Sequence, residues 1–173
     1  MKRVTGVRVE QGVRNIEEKM GIDYQDAIPA AQGGRVLVLF DGHCALCNGA
    51  VRWLLRRDRR DRLRFAPLEC FPELARKAGE TIVAVGPGGE VMTHSTAVLA
   101  AMRVLPQPWR VVAELFGFVP RVLRDSIYGF VARNRFRLRK RLAACPVPGE
   151  AERGHFYTAE GWVSSVSGYP PGR

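Results

Sequence analysis

"VLVLFDGHCALCNGAVRWLL", residues 36–55, changes its pattern in the middle. VLVLF is a continuous apolar, β-prone run, short enough to be a central strand buried on both faces, which suggests a parallel, helix-covered sheet. Past the cysteines, Val51, Leu54 and Leu55 fall on one helical face, and Cys47 joins it because it lies one turn before Val51. Cys44 then sits at the N-terminal tip of that helix. The two cysteines occupy a strand-to-helix junction.

Working outward, LRFAPL (63–68) reads as a second strand and FPELARKAG (71–79) as a short helix, with Pro72 suited to its first turn and Gly79 to its exit. In TIVAVGPGGEVMTH (81–94) two β-prone runs flank a Gly-Pro-Gly-Gly turn. That connection is too short for a parallel crossover, so the runs form a hairpin. STAVLAAMRVL (95–105) reads as a helix with Ser95 or Thr96 as its N-cap. Pro108 and Pro120 open two further helices. The second carries Leu123, Ile127, Phe130, Val131 and Phe136 on an apolar face and ends in RFRLRKR; Phe130 and Phe136, like Trp53, are expected to be needed for packing. The resulting order is β-α-β-α-β-β-α with additional C-terminal helices, an α/β fold. Residues 1–34, which end in AAQGG, read as a weakly ordered arm, 35–147 as the domain, and 148–173 as a flexible tail on which Phe156, Tyr157 and Trp162 could dock.

A chain of 173 residues with 46% apolar content can build one domain with a core. No run is long enough for a membrane span, and MKRVTGVRVEQG lacks the apolar segment of a secretory signal, so a cytoplasmic, reducing setting is expected. Four cysteines in that setting do not read as two structural disulfides, and the C-x-x-C spacing points to redox or metal chemistry. A closed zinc site needs four ligands, whereas Cys70, Cys145, His94 and His155 stand singly; no metal and no cofactor is expected. Cys70 reads as a small core residue and Cys145 as a solvent-facing thiol. The formal charge of +10 is concentrated, with seven arginines in residues 52–64 and eight Arg or Lys in 121–141. Solvated helix faces, on which arginine stems cover apolar surface, are the favoured reading, and a dedicated surface for nucleic acid or another anionic partner is the other.

The thiolate is the reactive form of cysteine, and a helix N-terminus favours it. Cys44 has that position and is the candidate nucleophile. Cys47, shielded on the apolar face and of higher pKa, suits a resolving thiol. Asp41 closes the strand three residues before Cys44, where its carboxylate could cap the helix or handle the proton that a cysteine loses during exchange. His43 reads as a solvated loop histidine without a catalytic role.

DGHCALCN resembles the D-x-x-C-x-x-C signature of the DCC family of thiol-disulfide oxidoreductases, which falls here on Asp41, Cys44 and Cys47. HSTAVL (94–99), IYGFVARNRFRLR (127–139) and ACP (144–146) are similar to further segments that recur in that family, so the resemblance covers residues 35–147. It implies a thioredoxin-like fold and exchange with a protein or small-molecule thiol or disulfide, reset by a reductant or oxidant it does not identify. One departure from the wider thioredoxin pattern stands out. Where a cis-proline usually precedes the third strand, this chain has Gly79, Glu80 and Thr81, and the nearest proline, Pro87, lies in the hairpin turn. The alternative function is a basic thioredoxin-like binding module for nucleic acid or anionic surfaces, without redox turnover.

Overall fold

The computed structural model describes Ala31, Leu142 and residues 33–71, 75–76, 78–79, 81–138, 149–158 and 161–162. The apolar run forms strand β1 (Val36–Phe40), buried along its whole length. It pairs in parallel with β2 (Leu63–Pro67), from Val36 opposite Leu63 to Phe40 opposite Pro67. On its other side it runs antiparallel to β3 (Val83–Val85), which forms a hairpin with β4 (Val91–Thr93). The order β2-β1-β3-β4 gives a mixed sheet in place of the parallel one expected. Only β1 and β2 run parallel, because the tight turn over residues 86–90 forces β4 back along β3. That turn is closed by the Gly86 N–H donating to the Glu90 carbonyl, and Gly89 takes a φ of +78° that an L side chain would resist.

Strand geometry sends alternate side chains to opposite faces. Val36, Val38 and Phe40 join Val51, Leu54, Phe65 and Ala101 in one core cluster, while Leu37 and Leu39 join Ala66, Leu68 and Val83 in the other. Helix α1 (Ala45–Leu55) buries Val51 and Leu54 against the first cluster. Helix α2 (His94–Arg103) lies beside it, and its Ala97, Ala100 and Ala101 permit a close approach to the sheet. Between β2 and β3, Ala75, Arg76 and Ala78 are helical, and Gly79 ends the turn with a φ of +66°. Pro72 lies outside the described residues. This is the expected α/β fold in a thioredoxin-like arrangement.

Helices α3 (Trp109–Gly117) and α4 (Arg121–Leu138) follow Pro108 and Pro120 as the sequence suggested. The α4 apolar face does not pack as expected. Leu123, Ile127 and Phe130 point to solvent, with Phe130 64% exposed, and Phe136 is also exposed. The inward side instead carries Tyr128, which bonds Thr81 and Ile82, Ala132 at the cavity, and Arg135, which pairs with Asp41. Trp53 does pack, edge-on against Trp109 at 4.6 Å, with the Arg57 guanidinium 4.1 Å from its ring centre. No helix among the described residues is long and apolar enough to cross a membrane.

Two tertiary links lie beyond the reach of local patterning. Neither Ser95 nor Thr96 is the N-cap of α2, which begins at His94. The Ser95 backbone N–H and hydroxyl both donate to Asp125 of α4, so one helix caps the other. In the stretch expected to be a tail, Phe156 is buried, its ring 5.8 Å from Phe65 and 6.4 Å from Phe40. Tyr157 and Trp162 pair across a short ribbon of β5 (Tyr157–Thr158) and β6 (Gly161–Trp162).

Replacing the fully buried Phe65 by Ala should cost about 3–5 kcal/mol in urea unfolding, through lost burial and the cavity left behind. The Ser95 hydroxyl, the largest influence, holds the Asp125 carboxyl below the usual carboxylate range. Its contribution is therefore present above the unfolded value, near pH 4, and is lost as pH falls through the lower folded value. Asp125→Asn should flatten that part of the stability-against-pH curve.

Candidate redox site

Strand β1 delivers its C-terminal end into the loop Asp41–Gly42–His43, and Cys44 is the N-cap of α1. Its backbone is extended and its sulfur accepts the Cys47 N–H at 3.2 Å. A cysteine thus occupies the position where Ser or Asp usually satisfies a free helix N–H. Asp41 does not cap the helix; its Oδ1 accepts the His43 N–H at 2.9 Å and stiffens the loop. The Asn48 amide donates to the Gly42 and Cys44 carbonyls at 2.8 and 3.0 Å. Glu69, just past β2, accepts the Gly42 N–H and lies 3.1 Å from His43 Nδ1, so that histidine is partnered rather than merely solvated. From the far side, the Leu142 N–H donates to the His43 carbonyl at 2.7 Å.

Both thiols are free, and they lie close together at the start of α1. Their exposure is the reverse of what the helix position suggests: Cys44 is 1% exposed, and Cys47 is only partly buried. The Cys47 pKa is nevertheless pushed far up, first by burial and then by the hydrogen bond and charge of Cys44. Asp41 adds to the rise and Arg135 opposes it. Arg135 reaches down from α4 and places Nη2 3.0 Å from Asp41 Oδ2, so a largely buried ion pair stands beside the cysteines.

A cavity of about 150 Å³ opens next to this pair. Its walls are apolar, among them Val51, Leu54, Ile82 and Val131, and Cys47, Asp41 and Arg135 border it. Ahead of β3, in the region where the thioredoxin pattern has its proline, the Tyr128 hydroxyl accepts the Ile82 N–H and hydrogen-bonds Thr81 Oγ1, both at 3.0 Å. That backbone donor is therefore satisfied from within the chain.

A family model for DCC1-like thiol-disulfide oxidoreductases matches residues 38–141. The chain belongs to that family. It is 35% identical over 128 residues to the Bacillus subtilis protein YuxK, covering 69% of this chain and 92% of that one. It is also 32% identical over 118 residues to the Arabidopsis thaliana DCC family protein At1g52590, described as chloroplastic, covering 64% and 69% respectively. No solved structure matches the chain at a significant level. Membership supports a general thiol-disulfide function.

The DCC1-like match contains the side chains of the site, from Asp41 through Glu69 to Arg135, and stops one residue short of the Leu142 backbone contact. Sequence reasoning singled out Asp41, Cys44 and Cys47, and the structure brings all three together. It passed over Asn48, Glu69, Tyr128 and Arg135. A signal existed for the last two, since Tyr128 and Arg135 lie two helical turns apart in IYGFVARNRFRLR and so share one face. Asp41, His43 and Glu69 bring ligand-type atoms within 4.8 Å of one another. They do not suit a cation. Asp41 is occupied by the Arg135 guanidinium and the His43 N–H, and Glu69 by Gly42 and His43. Among the other ligand candidates, His94 lies against Thr93 and Tyr128 and His155 pairs with Asp61; Cys70 is partly buried, and Cys145 lies outside the described residues.

The opposing charges around Cys47 give a test with two signs. Arg135→Met removes the charge that lowers the thiol's pKa and should move its pH-rate profile for alkylation upward. Asp41→Asn should move it downward.

Proposed function

We propose that the chain catalyses thiol-disulfide exchange through a Cys44–Cys47 dithiol, with Cys44 as the attacking thiolate and Cys47 as the resolving thiol. The observation that supports this reading is the Cys47 N–H donated to the Cys44 sulfur at the start of α1. A negative sulfur there gains a hydrogen bond and the favourable end of the helix dipole without any rearrangement.

In the reducing direction, the Cys44 thiolate attacks one sulfur of a substrate disulfide. A Cys44–substrate disulfide forms, the substrate S–S bond breaks, and the departing thiolate takes a proton from water. Cys47 then loses its proton and attacks the Cys44 sulfur, which closes the intramolecular disulfide and expels the second substrate thiolate. Two electrons pass from the pair to the substrate, and an external thiol reductant must return them; the oxidising direction is the reverse. Asp41, whose charge acts on Cys47, is assigned the Cys47 proton, and Arg135 holds that carboxylate in place. The cavity beside Cys47 would take an apolar group about the size of one aromatic ring next to the reacting disulfide.

The burial of Cys44 favours a second route in the oxidising direction. A substrate thiolate attacks Cys47, the sulfur bordering the cavity, and Cys44 departs as the thiolate that the helix N-terminus stabilises. Trapping distinguishes the routes. With 5,5′-dithiobis-(2-nitrobenzoate), Cys47→Ser should hold a stable mixed disulfide on Cys44, and Cys44→Ser should lose catalysed exchange. Faster adduct formation in Cys44→Ser than in Cys47→Ser would assign first contact to Cys47. Failure of the native protein to form a Cys44–Cys47 disulfide under mild oxidation, read by alkylation and mass, would sink both routes.

A further inference from the structure

We propose that the outward apolar stripes of α3 and α4 dock the protein on an anionic phospholipid bilayer. Every large apolar side chain that is exposed among the described residues lies between Val111 and Phe136. Scattered exposure would need no explanation, but concentration into two consecutive helices does. The exposure is also regular. Val111, Leu115 and Phe118 follow helical spacing along α3 and its end, and Leu123, Ile127 and Phe130 repeat the same spacing along α4. Each helix already has an inward face, with Ala113 buried on α3 and Tyr128, Ala132 and Arg135 turned toward the redox site on α4. A helix at an ordinary protein surface leaves its outward side polar; both helices here carry an apolar stripe on that side. Exposure peaks around the junction of the two helices, where Phe118 is 87% and Val122 80% exposed.

Charge decides what covers this face. Residues 109–141 contain nine basic and two acidic side chains. The two acidic groups are engaged, Glu114 with Arg103 at 3.3 Å and Asp125 with Arg121 and Ser95. Exposed Arg110, Arg133 and Arg137 therefore accompany the apolar stripes with a surplus of positive charge. A second copy seated on this face would bring two such surpluses together. A bilayer with anionic headgroups offers the opposite sign at its surface and an apolar layer just beneath, the pairing that amphipathic interfacial helices use. Since no helix among the described residues is long and apolar enough to span a membrane, α3 and α4 would lie on the bilayer. Docking through the outer stripes leaves Tyr128 and Arg135 where they are, so the inference does not depend on the redox reading.

The test is co-sedimentation of the full chain with vesicles of phosphatidylcholine, with and without phosphatidylglycerol, alongside sedimentation of the protein alone. The expected result is binding to the anionic vesicles and little to the neutral ones. Ile127→Glu combined with Phe130→Glu should weaken it about tenfold, as charge placed on the apolar face opposes insertion. Phe118→Asp, at a side chain almost wholly in water, should weaken binding without touching the core, and an unchanged urea midpoint would confirm that it folds. No binding to anionic vesicles, binding that both variants retain, equal binding to neutral vesicles, or a dimer dissolved by the same substitutions in place of vesicle binding would each overturn the proposal.

Discussion

A strand buried on both faces is the constraint from which the rest of the structure follows. With every residue of β1 out of water, each of its backbone groups needs a partner, and β2 and β3 supply them on either side. Both faces also need cover, and the alternation of Val36, Val38 and Phe40 against Leu37 and Leu39 divides the core into its two halves. The chain can leave this strand only at its end. There the next residues meet the start of α1, so the D-x-x-C-x-x-C motif falls at the edge of a rigid sheet, where thioredoxin-like folds present reactive thiols.

Around that edge the chain surrounds a small polar loop with partners drawn from distant positions. Asn48 comes from α1, Glu69 from beyond β2, Arg135 from α4 and Leu142 from the segment after it. A buried ion pair such as Asp41–Arg135 is weak evidence for stability, since desolvation offsets much of the attraction. Its value here is electrostatic. It sets two opposite charges beside a half-buried thiol whose burial otherwise holds it protonated. The pair of sulfurs is thereby asymmetric, with one receiving a helix N–H and the other lying against an apolar cavity.

Helix α4 serves two environments. Its inward side borders the candidate redox site through Tyr128, Ala132 and Arg135, and its outward side holds Leu123, Ile127 and Phe130 in solvent. Periodicity identified an apolar stripe on this helix correctly but could not say that the stripe faces away from the sheet. A hydrophobic pattern reports which residues share a face, and only the neighbouring elements decide which face is buried. The same limit applies to α2. Ser95 looked like a local cap, yet its partner is Asp125, thirty residues away.

The sequence by itself determined the strand and helix order of the sheet domain, the hairpin at residues 86–90, and the placement of Cys44 at a helix tip with Cys47 on its apolar side. These follow from local rules: alternation, helical spacing, turn chemistry and the short reach of a tight connection. Tertiary structure alone decided that β3 runs antiparallel to β1, that Cys44 is the more buried thiol, that Asp41 faces Arg135 instead of capping α1, and that Phe156 enters the core. Each of those depends on contacts between segments far apart in the chain, and nothing in the local pattern of either segment specifies its partner.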